Sequence, residues 1–277
     1  MPRAMTGWIL MFGLMMFSAH AETLPDPGLN DLLQRAGVSG CLAVMEVDPE
    51  RMRLSDPARC QQRFLPASTF KVVNLLIALE TGVVRQEERF PWDQTPQPLP
   101  SWEKDLTLQE AMAVSAVPVF QSIARRIGLQ RMQDWVAKTG YGNGAIGEKV
   151  DRFWLDGPLA ISPEEQARFM ARVATGKLPF SQPALTGLRR LIPQETIGTA
   201  HLYGKTGWAM SSQPMSGWYV GWLENQGRLV TFATHIRMDQ AEQAPLRQSL
   251  ALAALRQIDA LDSPLKSIPS HPNSPTP

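Results

Sequence analysis

Histidine is scarce, cysteine scarcer, and neither sign of charge dominates: four His, two Cys, and 27 basic against 26 acidic side chains in 277 residues. A net charge of +1 with no long basic run gives nucleic acid no electrostatic reason to bind. So few thiols and imidazoles, scattered along the chain, make no Cys/His cluster for a metal. His20 and His271 lie near the two ends, and His201 and His235 lie in or beside strand-like segments, where a satisfied structural histidine is expected. Gly-x-Ser-x-Gly and His-Glu-x-x-His are both missing. Gly142-x-Gly144-x-x-Gly147 matches a dinucleotide fingerprint by letter, but it follows a helix pattern and opens none, so it reads as a glycine-rich turn.

Long hydrophobic runs are missing too. Trp8 to Phe17 is apolar for ten residues, too short for the roughly 20 that span a bilayer. Arg3 before it and Ala19 and Ala21 after it predict a cleaved signal peptide over 1–21, the alternative being an uncleaved anchor. The expected product is exported to the periplasm, with no membrane insertion after signal removal. An oxidising compartment favours pairing Cys41 with Cys60, the alternative being two buried thiols. Placing Asp48 opposite Arg51 in a hairpin sets Cys41 level with Ala58, within reach of Cys60 if the Pro57 segment bends. Residues 263–277 hold five prolines and no apolar periodicity, which predicts a disordered tail.

Between these ends, 44% hydrophobic and 19% charged residues suit a globular core. Strand patterns appear early, from Cys41 to Val47 and Met52 to Ser55. They return late, from Ala200 to Thr206, Ser216 to Leu223 and Arg228 to Ile236. Helix signals fill the middle. A largely apolar stretch runs from Pro66 to Thr81, Thr107 and Glu110 form a capping box, Pro118 suits a first turn, and Ser162-Pro163-Glu164-Glu165 starts another helix. Leu246, Leu250, Ala253, Ala254 and Ile258 make a C-terminal stripe to cover a sheet. The expected fold class is α+β, with an antiparallel sheet of five to six strands covered by N- and C-terminal helices. An all-helical lobe over about 67–195 interrupts a sheet region at about 22–66 and 196–262, together forming one catalytic domain over 22–262.

Without a histidine base, a nucleophilic serine needs another, and a lysine three residues on along a helix can serve. Ser-x-x-Lys occurs at Ser68–Lys71, Ser101–Lys104 and Ser263–Lys266, and only the first opens an apolar helix. There, lost hydration and the positive helix end both disfavour an ammonium, so a neutral amine could take the serine proton. Equally, Lys71 could reach solvent while Ser68 caps the helix, and these four residues alone do not separate the two readings.

Pro66-Ala67-Ser68-Thr69-Phe70-Lys71, Ser115-Ala116-Val117, Tyr141-Gly142-Asn143 and Lys205-Thr206-Gly207 stand in an order and spacing that resemble class D (oxacillinase-type) serine β-lactamases. Phe153-Trp154-Leu155, Gly217 to Trp222 and Pro245-Leu246-Arg247 look similar too, so the resemblance covers roughly Cys41 to Ile258. Ser-Asp-Asn, a class A signature, is replaced by Ser115-Ala116-Val117.

The resemblance implies the penicillin-recognising hydrolase fold and opening of the β-lactam ring through an acyl group on Ser68. Ser115 is implied as proton relay beside Lys205, Ser68 and Trp208 N–H groups as the oxyanion hole, and Thr206, Gly207 and Arg247 as substrate contacts, with Arg237 the lesser candidate. Val117 and Phe70 would line Lys71, and Tyr141 and Asn143 would shape the site wall. Lys71 is implied to carry CO2 as a carbamate (N6-carboxylysine), with Trp154 donating to it, and no separate cofactor or metal. The expected partner is a small β-lactam, homodimerisation is possible, and a slowly deacylating sensor or transpeptidase is the alternative. Lys138-Thr139-Gly140 repeats the Lys-Thr-Gly letters but ends a helix pattern, so the strand-borne Lys205 is expected to be the functional one.

Overall fold

The computed structural model describes residues 22–262; the expected signal peptide and tail lie outside the described residues. Seven strands form the main sheet: β1 (Glu22–Pro25), β2 (Gly40–Val47), β3 (Glu50–Leu54), β6 (Gln194–Ile197), β7 (Ala200–Ala209), β8 (Met215–Asn225) and β9 (Arg228–Met238). A two-stranded ribbon joins β4 (Arg89–Phe90) to β5 (Leu106–Thr107). The helices are α1 (Pro27–Arg35), α2 (Pro57–Cys60), α3 (Lys71–Glu80), α4 (Leu108–Ala113), α5 (Val117–Ile127), α6 (Leu129–Thr139), α7 (Pro163–Ala174), α8 (Gln182–Leu191) and α9 (Leu246–Gln257).

Sheet order is β1-β3-β2-β9-β8-β7-β6, so the early hairpin joins the late strands through β2 and β9. The late meander is long and regular because β-branched and aromatic residues alternate along it, with Trp218, Val220 and Trp222 facing one core and Tyr219 and Leu223 the other. Two strands lie beyond the five located in the sequence, making seven against the five to six expected. β1 and β6 are four-residue edge strands with mostly exposed side chains, and β1 pairs parallel to β3. Neither has an alternating apolar face, which removes the signal by which strands are found.

The early hairpin also differs in register. Val47 pairs with Glu50, so Asp48 and Pro49 occupy both turn positions. Proline has no N–H for the ladder, and Asp is poor in strands, so the turn takes both. Asp56 caps α2 by accepting from Arg59 N–H, and that one turn of helix carries Cys60 back to Cys41, with Cα atoms 5.3 Å apart in a disulfide. Closing a loop of this span contributes about 3 kcal/mol on the chain-entropy account.

Helices α1 and α9 cover one sheet face with Leu29, Leu33, Leu250, Ala254 and Leu255. The opposite face packs on α7, whose Ala167 carbonyl accepts from Thr231 Oγ1 at 2.9 Å. Thus α7 belongs against the sheet, and α3, α4, α5, α6 and α8 build the rest of the helical layer. Both expected capping boxes form, at Thr107/Glu110 and Ser162/Glu165. His235 is buried between Phe64 and Trp218, ring centroids 3.9 and 4.4 Å away, and neither ring nitrogen finds a partner among the described residues. It is therefore not the hydrogen-bonded histidine expected; burial lowers its pKa to about 3 and keeps it neutral.

Candidate active site

Ser68 lies in one turn of 3-10 helix, Ala67–Phe70, that runs directly into α3. The single helix expected from Pro66 is therefore two pieces, and the junction is strained: Ala67 has φ 47°, unusual for a residue with a Cβ. Ala67 N–H donates to Trp154 O at 3.0 Å, and Thr69 Oγ1 donates to Pro66 O at 2.7 Å, which together hold the turn. The Ser68 side chain makes no cap bond to the turn or to α3. Its Oγ lies 2.7 Å from Lys71 Nζ instead.

Lys71 does not reach solvent: it is 0% exposed. Loss of hydration, and secondarily the charge of Lys205, push its pKa well below the usual lysine value. The amine faces aromatic walls. The Phe120 ring centroid is 5.4 Å from Nζ, and Phe70 stacks on Trp154 at 5.5 Å. Trp154 is also 0% exposed, and its indole Nε1 has no hydrogen-bond partner among the described residues. Val117 is half-buried at the start of α5, one turn before Phe120.

Across from this pair, Ser115 sits just after α4 with φ 57°, a second backbone departure in a residue with a side chain. Lys205 Nζ donates to Ser115 Oγ and, at 3.0 Å, to Thr206 O. Burial, with Arg247 adding repulsion, lowers the Lys205 pKa to about 7. Gly207 brings β7 against the Ser68 turn: a Cβ there would come within 3.0 Å of Thr69 Cγ2 and 3.1 Å of Pro66 O. Arg247 Nη1 donates to Gly207 O at 2.8 Å, and its guanidinium carbon lies 5.6 Å from the Trp208 ring centroid. Arg237 is engaged elsewhere, with Asp239 at 2.8 Å. A cavity of about 390 Å³ borders Lys205, Thr206 and Arg247, with Glu195, Tyr219 and Gln248 on its other side, and neither Ser68 nor Ser115 lines it.

Two expected wall residues are not brought to this cleft. Tyr141 is buried behind Phe70, ring centroids 5.6 Å apart, with its hydroxyl on Gln166. Asn143 is exposed and braces a loop, accepting from Ala145 and Ala160 N–H groups and donating to Pro158 O. Conversely, sequence reasoning missed Phe120, although its place one turn into α5 after Ser115 was a usable signal. It also missed Gln166, for which no local signal exists. Among the described residues there is no cluster able to hold a metal ion.

Residues 43–256 match the family model described as the penicillin binding protein transpeptidase domain. Beta-lactamase OXA-10 of Pseudomonas aeruginosa is 38% identical over 217 residues, 77% of this chain and 82% of that protein. OXA-48 of Klebsiella pneumoniae is 38% identical over 200 residues, 72% of this chain and 76% of its own. The crystal structure of FUS-1 (OXA-85), a class D β-lactamase from Fusobacterium nucleatum subsp. polymorphum, superposes with TM-score 0.83 at 32% identity, covering 86% of this chain and 100% of that one. The chain belongs to the class D β-lactamase family.

As a class D β-lactamase it is a hydrolase, and the two Lys-Thr-Gly strings of this β-lactamase can be compared. Lys205 is buried in a strand, against Ser115. Lys138 is exposed at the end of α6, with its Nζ 4.7 Å over Trp135 and with Gly140 as left-handed C-cap. Lys205→Ala is therefore expected to lower kcat/KM for a penicillin by about 100- to 1,000-fold, the scale of losing one charge-stabilising donor. Lys138→Ala should stay within about 2-fold, as a surface change does. Steady-state rates of the two variants check this, and reversed effects would refute the assignment.

Proposed function

We propose that this enzyme opens the β-lactam ring of penicillin-type antibiotics through an ester on Ser68, with the Lys71 side chain as general base, and so confers resistance. The observation that carries the reading is the fully buried Lys71 amine, 2.7 Å from Ser68 Oγ and held at a lowered pKa by desolvation. An amine in that state can accept the serine proton, where an arginine could not.

Ser68 Oγ gives its proton to the Lys71 side chain and bonds to the lactam carbonyl carbon. The N–H groups of Ser68 and Trp208 receive the carbonyl oxygen as it gains negative charge. The C–N bond then breaks, and the ring nitrogen takes a proton from Ser115 Oγ. Lys205 Nζ reprotonates Ser115, and the proton held by the Lys71 side chain is passed back to Lys205. Thr206 and Arg247 hold the substrate carboxylate beside the cavity. Hydrolysis of the ester by water regenerates Ser68.

The site also fits a carbamate on Lys71 Nζ, formed when the neutral amine adds CO2 and releases a proton. The buried Trp154 Nε1, lacking any partner, would donate to it, and Phe70 and Phe120 would line its stem. Bound there, it would supply a carboxylate base for Ser68 and for the hydrolytic water. Action in the periplasm is supported by the N-terminal pattern of residues 1–21 and by the Cys41–Cys60 disulfide.

Intact-mass analysis during incubation with excess penicillin tests the proposal. The expected result is a transient Ser68 adduct with many equivalents of ring-opened product. A lasting adduct would instead indicate a sensor or transpeptidase, and no adduct would reject acyl transfer.

A further inference from the structure

Gln166 on α7 is 1% exposed, and its amide is fastened to the back of the nucleophile turn. Its Nε2 donates to Thr69 Oγ1 at 2.8 Å and to Tyr141 OH at 3.0 Å. An NH2 group can only donate, so Thr69 Oγ1 accepts from it, and the hydroxyl proton of Thr69 is directed to Pro66 O at 2.7 Å. Tyr141 reinforces this order, because burial raises its pKa and keeps the phenol protonated.

The same two groups that Gln166 organises are what β7 leans on. Pro66 O and Thr69 Cγ2 are the atoms a Cβ at Gly207 would strike first. Between Pro66 and Thr69 lie Ala67, in its left-handed conformation, and Ser68 itself. A strained turn persists only where its surroundings over-determine it. Here those surroundings are Trp154 O on one side and the Gln166–Thr69–Pro66 chain on the other.

We infer that Gln166 is a positioning residue for the oxyanion-binding pair. By setting the direction of the Thr69 proton, it holds the Pro66–Thr69 turn, and with it Ser68 N–H, in register with Gly207–Trp208 on β7. The inference rests on the acyl-transfer reading above. Gln166 touches neither Lys71 nor the cavity that borders Arg247, so its effect falls on kcat rather than on KM.

Two variants of the full chain test it with a penicillin substrate, each compared with wild type at every pH so that other titrations cancel. The neighbouring ionisable groups are common to all three proteins: Tyr141 from the loop after α6 and Glu165 paired with Arg63. Gln166→Leu is expected to lower kcat by about 10- to 100-fold with KM within about 2-fold, the scale of a displaced reacting geometry. Gln166→Glu is expected to work near the wild-type rate at low pH, where a neutral buried carboxyl donates as the amide does. Its rate relative to wild type should then fall as pH rises through the raised pKa of that carboxyl. A carboxylate only accepts, so it draws the Thr69 proton away from Pro66 O. A pH-independent ratio for Gln166→Glu, or an unchanged kcat for Gln166→Leu, overturns the inference, and the Glu variant decides alone if the Leu variant fails to fold. Absence of penicillin hydrolysis by wild type would instead defeat the underlying acyl-transfer reading.

Discussion

Ser68→Ala is expected to lower kcat by on the order of 10⁵- to 10⁶-fold, as removal of the attacking atom does in other serine hydrolases. The fold should survive. Among the described residues the Ser68 hydroxyl caps neither its own turn nor α3, and its hydrogen-bond partner is Lys71 Nζ. Its loss removes one hydrogen bond from an amine whose ammonium form burial already disfavours, so unfolding free energy should change by about 1 kcal/mol. The pairing of those two outcomes is the informative part. Thermal unfolding close to wild type with hydrolysis absent identifies Ser68 as the nucleophile. Turnover near wild type would exclude it and leave the 2.7 Å contact to Lys71 without a chemical role. The variant should still bind penicillin non-covalently, since Thr206, Lys205 and Arg247 are untouched.

What could be read from the sequence was what is local. Capping boxes span three residues, so Thr107/Glu110 and Ser162/Glu165 announced α4 and α7 before any packing was considered. Ser68 and Lys71 are also three residues apart, and the apolar run behind them marked a helix that had to be buried. Alternation in β8 and β9 was legible because both faces of those strands are covered by different cores. The unread features depend on partners distant in sequence. Edge strands β1 and β6 exist because β3 and β7 offer open ladders, not because Glu22–Pro25 or Gln194–Ile197 favour extended chain.

The site follows the same division. The letters Lys-Thr-Gly occur twice, and only burial within a strand against Ser115 separates Lys205 from Lys138. Tyr141 and Asn143 are implied as site wall by motif, but the hydroxyl of the first is bound to Gln166 and the amide of the second to the 158–160 loop. The positive φ of Ala67 and of Ser115 has no compositional signal, since alanine and serine are ordinary residues elsewhere. Both belong to turns stabilised by contacts from other elements, Trp154 O for the first and Lys205 for the second.

Bicarbonate is expected to raise the activity of the wild-type enzyme, and more strongly as the pH is lowered. The argument starts from Lys71, whose folded-state pKa is lowered mainly by desolvation. Only the neutral amine adds CO2, so the carboxylated fraction falls as pH drops through that lowered pKa, and extra dissolved CO2 restores it. Deacylation should slow along with acylation, because one base serves both steps. Trp154→Phe isolates the donor: it keeps the aromatic stack on Phe70 and deletes the Nε1 hydrogen that otherwise has no partner. A buried carboxylate deprived of that donor is destabilised by about 1–3 kcal/mol or more, equivalent to at least a roughly 5- to 150-fold loss of carboxylated enzyme at fixed CO2. The variant should therefore accumulate acyl-enzyme in rapid-quench experiments and regain part of its rate with added bicarbonate. Isotope-labelled bicarbonate provides a readout apart from turnover. A carbamate carbonyl resonance should appear in wild type, be weaker in Trp154→Phe at equal CO2, and be absent from Lys71→Ala. Wild-type rates indifferent to bicarbonate at every pH, together with no labelled resonance, would refute the carbamate and leave the bare amine of Lys71 as the base.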